Sequence, residues 1–180
     1  MEPVFVDCAT LIPGFKNMHG DKPHMIQFHK LLVISDRLSD FTFLIPCISE
    51  ITAENVISMF ENWIKPTVGL PVTIISDQDT LFMSTAFQDW LSKNGILHKA
   101  SSAYHPETDG ASERKNKSII PIFAAKNAEK GMNWVSASPS VQTKINSKIS
   151  VSSKVSPTSQ SLVSTPKLVS LSPYTQFLST

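Results

Sequence analysis

The run VTIIS at residues 72–76 constrains this chain more than any other. It is short and apolar on successive positions, so neither face of a strand built from it tolerates water. Such strands lie at the centre of a sheet with helices on both sides. The flanking segments supply those helices. Thr52 reads as the N-cap of a helix whose Val56, Ile57, Phe60, Trp63 and Ile64 share one face. Downstream, Thr85 and Gln88 form a capping-box pattern, Phe87, Trp90 and Leu91 an apolar stripe, and Gly95 a stop. ILHKAS at 96–101 reads as a strand, and Ala111 opens another helix after the loop HPETDG.

Upstream, VFVDCAT at 4–10 alternates with period two. KLLVISD at 30–36 and FTFLIP at 41–46 read as two strands joined by the turn at residues 37–40. Three strands followed by helix, strand, helix, strand and helix predict an α/β fold, a mixed five-stranded sheet flanked by helices.

The charges divide the chain. All 15 acidic residues lie between Glu2 and Glu129, whereas from Lys130 onward there are five Lys, no acid, and 14 Ser. A Ser/Thr/Pro-rich stretch has few large apolar side chains to offset the entropy of ordering it. The predicted organisation is a folded domain at 1–149 and a loose Ser-rich tail at 150–180. The net charge of +1 excludes a basic coat, so contact with nucleic acid has to come from a local patch. Cys8 and Cys47 stand apart with no CxxC pair, which argues against a disulfide scaffold or a Cys-based zinc finger. No apolar run approaches membrane-spanning length, and Glu2 and Asp7 stand where a signal peptide needs a basic start. The expected setting is intracellular, not secreted, with no membrane partner.

Three carboxylates stand out by position. Asp7 lies inside an otherwise apolar strand, and Asp77 ends the strand VTIIS, where open α/β sheets place their sites. Glu113 falls in the first turn of the helix after HPETDG, with 35 residues between it and Asp77. An ionised carboxylate in a central strand is costly unless a positive charge faces it, and a divalent cation is the usual compensation. Three such groups at one sheet edge can hold two magnesium ions. Asp36 competes with Asp7 for the first position, but it begins a turn, a common structural place for Asp. His19, His24 and His29 recur every five residues, which suits no ligand geometry and reads as a solvated loop.

These segments carry a resemblance. LLVISDRLSDFTFLIP, TAENVISMFENWI, GLPVTIISDQDTLFMSTAFQDWLSKNGI and SSAYHPETDGASERKNK look like successive blocks of the integrase catalytic core of gypsy-type LTR retrotransposons and retroviruses. The likeness is collinear from about Val4 to Lys117 and continues more weakly through MNWVSASPSVQTKINSK. There Trp134, Pro139 and Asn146 match, while Ser136 and Ser138 replace apolar residues.

The resemblance implies a ribonuclease-H-like fold with a DDE triad, namely Asp7, Asp77 and Glu113, as catalytic residues and metal ligands. It implies Mg2+ or Mn2+ as cofactor and DNA integration by polynucleotidyl transfer as the activity, both end processing and strand transfer. Asn116 matches an Asn one helical turn after the catalytic Glu, and His105 belongs to the loop beside the site, where Glu107 stands in place of the usual Gln. Arg114, Lys115 and Lys117 flank the proposed metal site and are assigned to DNA phosphates with Asn116 and His105. The implied partners are DNA and further copies of the chain, with no small-molecule substrate. The implied location is the nucleus or a cytoplasmic element particle. The sequence leaves one alternative function open: a catalytically inactive or domesticated remnant that binds nucleic acid or oligomerises.

Overall fold

The computed structural model describes residues 4–9, 28–36, 39–48, 50–100, 118–119, 121–126, 134–149 and 155–159, with 4–9 and 28–29 by backbone alone. Five strands form one sheet: β1 (Val4–Ala9), β2 (Phe28–Asp36), β3 (Thr42–Ile48), β4 (Thr73–Ser76) and β5 (Leu97–Ala100). Their order is β3-β2-β1-β4-β5. β1 and β3 both run antiparallel to β2, while β4 is parallel to β1 and to β5. The sheet is therefore mixed, as the element order predicts, and VTIIS lies beside its middle strand.

The period-two geometry of β2 and β3 explains the layers. Leu32, Ile34, Phe43, Ile45 and Cys47 point into one apolar cluster, and Leu31, Val33 and Leu44 into another. Alternate side chains leave opposite faces of a strand, so these are the two faces of one sheet. The first cluster is closed by α1 (Ala53–Met59) with its continuation and by α3 (Thr85–Lys93), which bring Val56, Phe60, Ile64, Phe87, Trp90 and Leu91. The second is closed by α4 (Trp134–Asn146) and by helical residues in 118–126, with Trp134, Ala137, Val141, Ile119 and Phe123.

Local signals account for most element ends. Thr52 caps α1 through a complete capping box with Asn55. α1 runs into a π-helical turn, Phe60–Ile64, and then α2 (Lys65–Val68). Pro66 explains the widening, because it has no amide to donate and its ring does not fit against a carbonyl four residues back. At α3 the cap differs from expectation. Ser84, one residue before Thr85, accepts the hydrogen bond from the Phe87 amide. Gln88 is thereby freed from capping and its amide turns inward, to the Phe82 carbonyl and His98. Gly95 follows the helix at φ +66, the left-handed conformation that glycine adopts at least cost.

β3 is an edge strand, and α4 covers that edge. The Asn146 side chain accepts from the Thr42 amide at 2.9 Å and donates to the Thr42 carbonyl at 2.8 Å, pairing as a neighbouring strand would. Gln142 accepts from the Leu44 amide at 2.8 Å. Pro46 lies within β3, a place where proline is tolerated because the edge needs fewer ladder donors. Ser138, fully buried in α4, donates to the carbonyl of Trp134 one turn back. In the C-terminal region, Pro157 is buried and the Thr158 hydroxyl donates to the carbonyl of Asn146 at 2.8 Å, so a helical turn at 157–159 rests on the end of α4.

Candidate functional site

The parallel pair β1 and β4 fixes the site. Val4 pairs with Ile74 and Phe5 with Ile75. Continued by two residues, this register sets position 7 level with position 77, on backbones about 4.8 Å apart. Asp77 then stands just past the carboxyl end of β4, where α/β folds gather their functional groups, and position 7 two residues before the end of β1. β5 ends at Ala100, level with Ser76 at the end of β4. Asp36 lies elsewhere. It pairs with Val4, three residues and about 10 Å back along β1. Its Oδ2 accepts from the amide and the hydroxyl of Ser39, at 2.8 Å and 2.5 Å, which makes it a turn-forming residue.

Asp77 is exposed at the head of the loop after β4. Its Oδ1 accepts from the Asp79 amide at 3.2 Å. Asp79 shapes the rest of the loop, accepting from the Leu81 amide on its carboxylate and from the Phe82 and Met83 amides on its carbonyl. The loop therefore turns on Asp79, with Asp77 at the sheet edge. Among the described residues no three His, Cys, Asp or Glu side chains gather as a ligand set. Glu113, Arg114, Lys115, Asn116, Lys117 and His105 lie outside the described residues, as does the start of the helix expected from Ala111, which is described as helical at 118–119 and 121–126, and Asp7 is described by its backbone alone.

Beneath Asp77 lies an arrangement that the sequence did not flag. Ser76 is buried, and its hydroxyl donates to the carbonyl of Asp77 at 2.8 Å. The same hydroxyl meets His98 Nε2 at 2.9 Å, and His98 Nδ1 meets Gln88 Nε2 at 2.8 Å. Gln88 Nε2 also donates to the Phe82 carbonyl at 2.7 Å. A carbonyl only accepts, so the nitrogen of the Gln88 amide must face Phe82 and His98. His98 Nδ1 is then an acceptor, Nε2 carries the ring proton, and that proton goes to Ser76. Every hydrogen in the chain has one direction. Burial pushes the His98 imidazole below its ordinary value, in keeping with a neutral ring. Phe87 packs edge-on against the ring at 6.2 Å. The one signal in the sequence was position. His98 stands in alternation with Ile96 along ILHKAS, on the side of the strand opposite Leu97.

Comparison with known proteins gives the site a context. The sequence model of the integrase core domain family matches residues 15–106, just over half of the chain; Asp77 falls within the match, and Asp7 and Glu113 outside it. The Tf2-3 transposon polyprotein of Schizosaccharomyces pombe is 31% identical over 135 residues, covering 75% of this chain and 10% of that polyprotein. The chain thus spans about a tenth of the length of the curated relatives it matches. Among solved structures, the catalytic core domain of HTLV-2 integrase in complex with magnesium, in its trimeric form, superposes with a TM-score of 0.67 at 18% identity, over 88% of this chain and 94% of that one. A chain of the simian T-cell lymphotropic virus intasome in complex with PP2A regulatory subunit B56 gamma gives 0.74 at 18% identity, over 94% of this chain and 56% of that one. The catalytic core of BIV integrase gives 0.64 at 17% identity, over 89% and 94%. At these identities the likeness establishes the fold, the ribonuclease-H-like fold of integrase catalytic cores.

Proposed function

Because the chain belongs to the integrase core domain family, we propose that it is the catalytic core of a retrotransposon-type integrase, which processes DNA ends and joins them to target DNA by polynucleotidyl transfer. The observation that supports this reading is the pairing of Val4 with Ile74 and of Phe5 with Ile75, a register that, continued by two residues, sets position 7 beside Asp77. We assign Asp7, Asp77 and Glu113 to hold Mg2+ or Mn2+. The donors fit such an ion, being carboxylate oxygens, and that of Asp77 is exposed, whereas the thiol of Cys47 is buried in the core. A bound divalent cation supplies Lewis-acid stabilisation of charge at phosphorus and at the attacking and leaving oxygens.

The remaining work falls to the chain. Asp77, held at the end of a rigid buried strand, fixes the edge against which the scissile phosphate is aligned. Arg114, Lys115, Lys117, Asn116 and His105 are assigned to contacts with DNA, with the cations neutralising its phosphates. The attacking group is water in end processing and a DNA 3′-hydroxyl in joining, so no nucleophilic side chain is required. DNA and further copies of the chain are the proposed partners, and the nucleus or a cytoplasmic element particle the proposed place of action.

The test is a joining and disintegration assay on branched DNA with Mn2+ or Mg2+, comparing the parent with Asp77→Asn and Glu113→Gln. The parent should react, with steep salt sensitivity, and both variants should lose activity while still binding DNA. Activity that survives either substitution contradicts the assignment. An inactive parent that still binds DNA would identify a remnant.

A further inference from the structure

We propose that His98 is a positioning residue for Asp77, acting through Ser76 to fix the peptide group from which the proposed metal-binding carboxylate projects. This inference rests on the reading of Asp77 as a metal ligand. The ladder between β4 and β5 ends at the pair Ser76 and Ala100. One residue further on, the carbonyl of Asp77 is held by the Ser76 hydroxyl. That hydroxyl has one proton to give. It can be committed to Asp77 because His98 Nε2 supplies a hydrogen to its lone pair. His98 can supply it because Gln88, fixed by the Phe82 carbonyl, occupies Nδ1 and sets the tautomer.

Three elements therefore converge on one peptide group: α3 through Gln88, β5 through His98 and β4 through Ser76. Ser76 is 2% exposed, so water does not replace the missing partner if one member is removed. A hydrogen bond that served packing alone could end on any carbonyl. This chain ends on the residue at the head of the site, at the point where strand pairing no longer holds the backbone. Carboxylate ligands require placement to within about 0.5 Å, and the hold on the Asp77 carbonyl adds to the 3.2 Å bond that the Asp79 amide gives its carboxylate.

The experiment is a Mn2+ titration of the full chain, followed by water-proton relaxation, with amide hydrogen exchange at residues 77–79 as a second readout. The variants are Ser76→Ala, Ser76→Thr, His98→Leu and Asp77→Asn, each first shown to melt cooperatively. Asp77→Asn should abolish the specific site. Ser76→Ala and His98→Leu should weaken Mn2+ binding on the order of tenfold, as the loss of a group supporting a ligand does. Both should speed exchange at 77–79 while leaving the central strands protected, and Ser76→Thr, which keeps the hydroxyl, should bind as the parent does. If His98→Leu fails to fold, Ser76→Ala decides. Parent-like Mn2+ affinity in a folded Ser76→Ala overturns the proposal, as does a loss in Ser76→Thr equal to that in Ser76→Ala. Equal binding by the parent and Asp77→Asn removes the metal-ligand reading itself, and this proposal with it.

Discussion

Protonation of His98 sets a ring N–H against the amide N–H of Gln88. The amide has no favourable way to turn, since its oxygen would then face the Phe82 carbonyl. Burial acts in the same direction. The unfolded imidazole takes its proton near pH 6.5, the folded one at lower pH. Between those values the unfolded chain binds more protons, so acidification favours unfolding. The contribution of His98 is complete above about pH 6.5 and is lost as pH falls through the folded value. Melting temperatures between pH 7.5 and 5.5 should therefore fall more steeply for the parent than for His98→Leu; parallel slopes would contradict the neutral assignment. Glu61 titrates lower. Its hydrogen bonds to Lys65 and then to the Trp90 indole hold its carboxyl below 4.5, outside that window. Ser138 behaves differently from both. Its buried hydroxyl returns to its own helix, so Ser138→Ala should change stability by no more than about 1 kcal/mol in urea unfolding.

At the scale of elements, the edge of β3 depends on a side chain more than a hundred residues away. Asn146 satisfies both backbone groups of Thr42, and it is buried. Asn146→Ala leaves a buried donor and a buried acceptor without partners, at about 1–3 kcal/mol each. The expected loss is about 2–6 kcal/mol by urea unfolding, and a loss below about 1 kcal/mol would show that α4 does not hold this edge. Neither partner was legible in the sequence as a pair. The Asn was visible only as a match to the family pattern, and what it bonds depends on where its helix lands. The strands themselves were legible, because VTIIS, the alternation of β1 and the apolar runs of β2 and β3 are local statements about burial. Thr52 was legible for the same reason, since a capping box is complete within four residues. At α3 the local signal was ambiguous: Ser84 and Thr85 both suit a cap, and the fold uses the first. The His98 network was hidden because it joins a helix, a strand and the end of another strand, and its meaning depends on their adjacency.

Across the whole molecule, one sheet with two covered faces carries the proposed site at a single edge. The apolar pattern shows the covered faces, and the parallel pairing of β1 with β4 supports the proposal. Residues 160–180 combine Ser, Pro and isolated Lys with no acidic residue, and we propose that they are dispensable for folding. Limited proteolysis should cut after Ser159, beyond the turn that Thr158 ties to Asn146, and leave the melting transition of the body unchanged. Protection of 160–171 would show that this stretch is packed. The central claim is that three carboxylates, far apart in sequence, serve one metal centre. Anomalous scattering from crystals of the protein soaked in Mn2+ measures that most directly. The account predicts a peak within about 2.0–2.3 Å of carboxylate oxygens of both Asp7 and Asp77, with Glu113 in the same cluster. A peak held by Asp36, or one that persists in Asp77→Asn, would contradict it.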